Sequence, residues 1–466
     1  MHSRIAWLRM EIATLGFLIA LTVWSVRPLL EEWGLFHSYL MHGLSYQRDI
    51  FSLIALRPLH LTPSGMQWIL GGGHPIGVGV VAVLLVAARY IVARWAVAPL
   101  LSSAHQWLFA MSATALVGWP GLWLARFHPA QLSAVFLFAA LGFSIRLIVK
   151  PRAVHFAGAA FSVVALLMTY QALALVVAAL PLIALFVRDF DWISRLRGVA
   201  ISAAALGAGL ALYLLYAYLV RDLATDSYEG LLIAHLRSVG LWNVFVENVS
   251  TSYATVIFGG SLFLISCSLL IGLAILTDWR PMHAVLASIL ILLTPLLSLV
   301  YLSVGHLRDP ERALFPATVG ASLALAVVCI QNRARARHGV AAVGVLAMLA
   351  ASTVSAYQVR QMWLTQDSII RQVQAIAEEV QGPLVIIDNS GRLGDVYTFL
   401  EGTLSNAVNV YGTDADIIIC TPADVDRKHP YADRYPIQTT RRCEDIDISD
   451  RETAYANGWD RIVISR

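Results

Sequence analysis

The chain has 466 residues, 58% hydrophobic and 14% charged, with a formal net charge of +3. A soluble domain carries roughly 45–50% apolar and about 25% charged residues, so a purely soluble globule is excluded. The charge is split: from Tyr357 onward 17 acids face 11 bases, whereas the residues before it hold 22 bases and 13 acids. A basic membrane part is the ordinary consequence of cytoplasmic anchoring charges. With no basic patch interleaved with aromatics, nothing points to nucleic acid.

A spanning helix needs about 20 mostly apolar residues. Runs of that kind lie at roughly 11–30, 76–93, 104–125, 130–149, 154–169, 171–187, 198–219, 253–276, 282–304, 313–331 and 339–356, which makes eleven. The first follows Arg4 and Arg9 as a signal sequence would. It ends in Val26-Arg27-Pro28 without a small-residue cleavage site, which predicts an uncleaved anchor. The stretch from His155 to Val187 is too long for one span. Its only polar break, Met168-Thr169-Tyr170-Gln171, predicts a tight hairpin between two short helices.

Charge placement supports that hairpin. With the N-terminus inside, the inner segments hold 14 bases, among them Arg89, Arg94, Arg146, Lys150, Arg188, Arg280 and Arg333. The outer loops before Tyr357 hold 7, as the positive-inside rule requires. Without the hairpin, the clusters at 188–197 and 333–337 would move outside. The C-terminus is therefore expected on the outer side.

Two outer loops are long, about 31–75 and about 220–252. Both have apolar residues near helical spacing, as in helices lying on a membrane surface. Past Tyr357, Ile369, Val373, Ile376 and Val380 form one apolar helix face. The runs 384–387, 417–419 and 462–464 read as strands. The expected fold is thus mainly α, a polytopic bundle over residues 1–356 with a small extracytoplasmic α/β domain over 357–466. Cys267 and Cys329 lie in apolar runs. Cys420 and Cys443 lie in the C-terminal domain, where an oxidising compartment would let them pair if their separation allows.

Apart from Arg27, the spans read as free of ionisable groups, whereas proton-coupled pumps carry them at the midplane. Interest shifts to the outer surface. Glu31 and Glu32 follow the first span. Adjacent carboxylates at an interface can supply a general base, or they can simply end a solvated helix. Asp49, later in the same loop, is a further carboxylate or a local partner for Arg48. Arg57-Pro58-Leu59-His60-Leu61-Thr62-Pro63 is a polar island. Its Arg, on a stiff backbone, could fork onto a phosphate or snorkel to headgroups. Gly71-Gly72-Gly73-His74 lacks the Lys and Ser/Thr of a phosphate loop and reads as a turn. Arg308, Asp309, Glu311 and Arg312 crowd the mouth of a late span, where outer arginines favour an anionic ligand. His60, His74, His235 and His306 lack metal-ligand spacing. Asn248-Val249-Ser250 matches the glycosylation pattern as a short motif does by chance.

These residues resemble those of the GT-C class of polytopic glycosyltransferases, in particular bacterial glucosyltransferases that decorate O-antigen and other surface polysaccharides. Four features carry the likeness, which spans residues 11 to about 356. They are Glu31-Glu32 after the first span; Arg57-Pro58-Leu59, similar to a Gly-Arg-Pro-Leu-like element with Leu56 in place of Gly; Tyr170-Gln171 at the mid-chain hairpin; and Glu311-Arg312-Ala313-Leu314-Phe315-Pro316, similar to an Arg-x-x-x-Pro helix entry. The usual acidic element of the first loop contains Asp, and here both acids are Glu.

The resemblance implies a bacterial inner-membrane enzyme. It would transfer a sugar from a polyprenyl-phosphate donor to a glycan or lipid-linked acceptor on the extracytoplasmic face. Glu31, Glu32 and Asp49 would be the catalytic carboxylates. Arg57, His60, Tyr170, Gln171, Arg308 and Arg312 would bind substrate. No metal site or organic cofactor is implied, although a divalent cation would be compatible. The rival classes are a lipid-linked glycan ligase or polymerase, which places its functional Arg and His in a large late loop, and a flippase or transporter.

Overall fold

The computed structural model describes residues 2–29, 32–115, 120–187, 190–224, 241–258, 281–301, 310–331, 338–380, 383–389, 403–412, 416–425, 441–447, 449–456 and 462–464. Glu31, Arg308, His235, His306, Cys267, the bases at 188, 280 and 333–337, and most of the expected span 253–276 lie outside them. The chain is a polytopic helical membrane protein with a small C-terminal sheet.

Helix α1 (His2–Ser25) is followed by α2 (Glu32–His42), α3 (Thr62–Gly71), α4 (Ile76–Val97), α5 (Ser103–Ala115), α6 (His128–Val149), α7 (Ala153–Thr169) and α8 (Ala174–Ala179). Then come α9 (Trp192–Leu219), α10 (Leu241–Tyr253), α11 (Pro281–Leu293), α12 (Pro310–Gln331), α13 (His338–Val380) and α14 (Thr403–Val410). Among the described residues, five helical stretches are long and apolar enough to cross a membrane: Ile76–Val97, Ala125–Val149, Trp192–Leu219, Arg312–Ile330 and Ala342–Val380.

Two expected spans change helical type, each at a proline, which removes a helical hydrogen bond and clashes with the preceding turn. The run 282–304 changes from α11 to a 3-10 stretch, Thr294–Tyr301, that contains Pro295. The run 171–187 is α8 flanked by 3-10 turns, Gln171–Leu173 and Leu180–Phe186, the second with Pro181. A 3-10 residue rises about 2.0 Å against about 1.5 Å for an α residue, so this short run reaches further than an α-helix of equal length.

The interior holds one unexpected charge. Arg89 was counted with the bases at cytoplasmic helix ends, but it lies inside α4 with 0% exposure. Its guanidinium donates to the Gln131 side chain of α6 and to the Ala113 carbonyl of α5. Glu11 of α1 is also buried and pairs with Arg94 at 3.1 Å. The spans are therefore not free of ionisable groups. Polar partners on neighbouring helices replace the water that a buried cation gives up.

Helix α13 has 43 residues, about 64 Å of helix, and runs unbroken past Tyr357 into the C-terminal unit. There Ile369, Ile370 and Val373 are buried against β1 (Leu384–Asp388) and α14. The other strands are β2 (Ile417–Thr421), β3 (Arg441–Arg442), β4 (Glu452–Ala456) and β5 (Ile462–Ile464), in the order β3-β2-β1-β4-β5. All pairings are parallel except β4 with β5. The three apolar runs read from the sequence are β1, β2 and β5. Cys420, in β2, is disulfide-bonded to Cys443 beside β3.

The membrane part and the sheet are clasped together by the start of the first loop. Trp33, at the head of α2, is 1% exposed and belongs to the core of the C-terminal unit with Ile369, Leu404 and Val408. Three residues on, Phe36 belongs to the core of the membrane bundle. Gln366 of α13 donates to the Pro28 carbonyl at 3.0 Å, with both residues buried. Trp33→Ala should cost about 3–5 kcal/mol, as removal of a buried Trp does. Amide exchange over 32–42 should accelerate, and this is readable by mass spectrometry.

Candidate active site where the first loop meets the mid-chain hairpin

Helix α7 ends at Thr169, and Tyr170 turns extended with φ −160° and ψ 116°. The last carbonyls of a helix have no partner within it, and at membrane depth each orphan is costly. The polar island of the first loop supplies the donors. The Leu59 amide donates to the Met168 carbonyl at 3.0 Å, and His60 Nδ1 meets the Thr169 carbonyl at 3.1 Å. In return α9 satisfies the island. Tyr213 and Tyr216, one turn apart, donate to the carbonyls of Leu56 at 3.1 Å and Ala55 at 2.8 Å.

Around this seam the predicted residues converge. The His60 and Tyr170 rings lie 5.9 Å apart. Gln171 donates to the Tyr213 hydroxyl. Tyr170 reaches the Tyr301 hydroxyl at 3.3 Å and packs on Phe315 with ring centroids 6.3 Å apart. Phe315 is one turn inside α12 from Arg312, which is partly exposed in the first turn of that helix. Arg57 is partly exposed beside His60, and its carbonyl accepts from the His60 amide at 2.8 Å. Motifs at 57–60, 170–171 and 312–315 thus sit at one end of the bundle, the end that carries the sheet.

His60 has its proton assigned by this geometry. The Thr169 carbonyl can only accept, so Nδ1 carries the hydrogen and Nε2 keeps its lone pair. Burial, and then the Arg57 charge, push the imidazole from its usual 6.5 down to about 3. A neutral His60 is a hydrogen-bond acceptor for a hydroxyl.

The carboxylates fall differently. Glu32 is 3% exposed, and its Oε2 accepts from the Leu29 amide at 2.5 Å, three residues back. It reaches the seam through α2, whose Tyr39 hydroxyl donates to the Leu61 carbonyl at 3.4 Å. Seven helical residues separate Glu32 from Tyr39, about 10 Å. Asp49 is exposed and lies 3.7 Å from Arg48, its local partner. Gly72 and Gly73 have φ of +59° and +80° and close α3, so the glycine run is a turn. Asn248 is 2% exposed inside α10, which rules out its glycosylation in the folded chain. Among the described residues no group of three or more His, Cys, Asp or Glu is placed to hold a metal.

Tyr213, Tyr216, Tyr301 and Phe315 were not singled out from the sequence. A signal existed for the first two: tyrosines at i and i+3 near one end of an apolar helix need hydroxyl partners.

Helix α3 is held against this seam from behind. Gln67 donates to His128 Nδ1 at 2.7 Å, and a Cβ on Gly77 would stand 1.8 Å from the Gln67 carbonyl, so only glycine lets α4 approach. Below the seam lies an apolar cavity of about 280 Å³, lined by Val176, Leu182, Thr294, Leu297, Gly320 and Leu323 among others.

No family model and no curated protein matches the chain. It is similar to the crystal structure of ArnT from Cupriavidus metallidurans in the apo state, at 12% identity and a TM-score of 0.38, over 99% of this chain and 98% of that one. The same values of identity and TM-score hold for ArnT bound to undecaprenyl phosphate, over 98% of each chain. A likeness this distant assigns no function.

The pH response of His60 follows from its shift. The unfolded imidazole protonates near 6.5 and the folded one near 3. Its contribution is therefore complete above pH 6.5 and is lost as the pH falls towards 3. His60→Gln should flatten the fall in thermal stability between pH 7 and 5, as measured by unfolding scans at both values.

Proposed function

We propose that the chain is a membrane glycosyltransferase that moves a sugar from a polyprenyl-phosphate donor to a surface glycan or lipid-linked acceptor. One observation carries the reading: the segments of Arg57 and His60, of Tyr170 and Gln171, and of Arg312 and Phe315 are joined through the Leu59–Met168, His60–Thr169 and Tyr170–Phe315 contacts, with an apolar cavity farther along the same elements, from Val176 to Phe186 and from Gly320 to Val327. The elements lining that cavity lead directly from the meeting point. Val176 and Leu182 follow Gln171, Thr294 and Leu297 precede Tyr301, and Gly320 and Leu323 lie on α12 inward of Phe315. An isoprenoid tail in the cavity would leave its phosphate beside the polar cluster. The further proposals are an eleven-span GT-C-like arrangement over 1–356, an extracytoplasmic domain over 357–466, a cytoplasmic N-terminus and a bacterial inner-membrane location. The disulfide accords with an oxidising compartment on the C-terminal side.

In the reaction, the acceptor hydroxyl attacks the anomeric carbon as the bond from that carbon to the donor phosphate oxygen breaks. A carboxylate takes the hydroxyl proton, and the electron pair leaves on the phosphate. Glu32, with Glu31, is assigned as the base. Arg57 and Arg312, with Arg308, are assigned to the phosphate, where fixed cations favour the departing charge. His60 Nε2 and Gln171 bind sugar hydroxyls. Asp49, exposed beside Arg48, has the weakest claim to a catalytic part.

The test is sugar transfer by purified protein from radiolabelled polyprenyl-phosphate sugars to cell-envelope glycan. Glu31→Gln with Glu32→Gln should lower turnover at least about 100-fold, the usual effect of a lost general base, with donor binding kept. Arg57→Gln should lower turnover by about 100-fold or more. Full activity in the double Gln variant removes the carboxylates from the mechanism. Absence of both transfer and donor hydrolysis, in stable protein that binds lipid-linked glycan, supports a flippase instead.

A further inference from the structure

A second polar site lies away from the seam, where α1 ends and α13 leaves the apolar part of the bundle. Arg27, just past α1, and Arg360, on α13, both lie over the ring of Trp363, at 5.5 Å and 4.7 Å from its centroid. Two guanidinium groups on one indole repel each other. Among the described residues no carboxylate pairs with either arginine. Asp367, two turns along α13 from Arg360, is taken by Arg371 at 2.8 Å.

Part of the charge is offset by the end of α1. Arg27 Nη1 donates to the carbonyls of Val23 at 2.8 Å and Val26 at 2.7 Å, and Arg360 Nη1 donates to that of Trp24 at 2.8 Å. These are the free carbonyls at the negative end of a helix. Each arginine is partly exposed and keeps the N–H groups of Nε and Nη2. Trp24 (40% exposed) and Tyr357 (54% exposed) stack beside them, with ring centroids 6.5 Å apart. Exposed Trp and Tyr at helix ends mark the headgroup level of a membrane.

We propose that Arg27 and Arg360 form a binding site for the phosphate headgroup of an anionic membrane lipid, whose charge no choline offsets, in the leaflet on the side of the C-terminal sheet. The planar fork of arginine matches phosphate oxygens, and one anion between two guanidinium groups relieves their repulsion. A lipid is favoured as the source, because exposed Trp24 and Tyr357 beside the pair are the ring types that collect at the headgroup level. The site stands on its own geometry and does not depend on the sugar-transfer reading.

The experiment is native mass spectrometry of the purified protein, titrated with phosphatidylglycerol and, separately, with phosphatidylcholine. The wild type should retain one phosphatidylglycerol in preference to phosphatidylcholine. Arg27→Gln with Arg360→Gln keeps side-chain N–H groups for the α1 carbonyls but removes both charges. It should bind phosphatidylglycerol ~25-fold more weakly, the product of two surface cations worth about fivefold each. Arg27→Lys with Arg360→Lys should fall between the two. Equal affinity of wild type and the Gln variant overturns the proposal. So does a wild type that does not distinguish the two lipids, a result that needs no variant to fold. Displacement of the lipid by inorganic phosphate at the lipid's own concentration would overturn the lipid source.

Discussion

The fold around the site depends on a single debt of hydrogen bonds. A chain that reverses inside an apolar run at Thr169 and Tyr170 leaves helix-end carbonyls where water does not reach, and the bundle must satisfy them. The Leu59 amide and the His60 ring do so, and this draws the first loop onto a hairpin more than a hundred residues away. The loop segment so placed then needs partners of its own, which Tyr213 and Tyr216 provide. The polar residues that gather there are those best suited to act on a ligand. The same bonds that settle the backbone therefore settle the chemistry: His60 is neutral, with Nε2 free to accept, because Nδ1 is committed to a carbonyl.

A second constraint works at the other end of α2. Trp33 is buried in the core of the C-terminal unit, while Phe36 is buried in the bundle. Helix α2 therefore cannot shift without disturbing both. Glu32, between α1 and Trp33, is held by that clasp and by the hydrogen bond it accepts from the Leu29 amide. The long α13 is the rigid strut that makes the clasp work, since it enters the sheet core without a break. The C-terminal unit is thus tied structurally to the loop it covers, and its disulfide staples β2 to the chain beside β3.

Much of this was legible in the residues. Apolar runs of spanning length, the basic clusters between them and the compositional change at Tyr357 announce a membrane bundle with a polar C-terminal unit. The break at Met168–Gln171 announces the hairpin, because four polar or semi-polar residues in an apolar stretch have few other uses. The polar island at Arg57–Pro63 stood out for the same reason. Less visible were the changes at Pro181 and Pro295, where hydrophobicity continues although helical geometry changes. Arg89 was misplaced because a charge near the end of an apolar run reads as a loop residue. Only its partners Gln131 and Ala113, on two other helices, make an interior position tolerable.

What the sequence by itself determined is what depends on composition and short-range order: membrane residence, the positions of most helices, three of the five strands of the C-terminal unit and the identity of the polar islands. Those signals are local, since each run is apolar or polar whatever the rest of the chain does. Only the tertiary structure decided which islands meet, that Glu32 is buried, that Cys420 reaches Cys443, and that Arg27 and Arg360 share one indole. Such pairings turn on contacts between residues as far apart as Trp24 and Arg360. They are set by which buried donors and acceptors can satisfy one another, a condition on the packed chain as a whole and on no single segment of it.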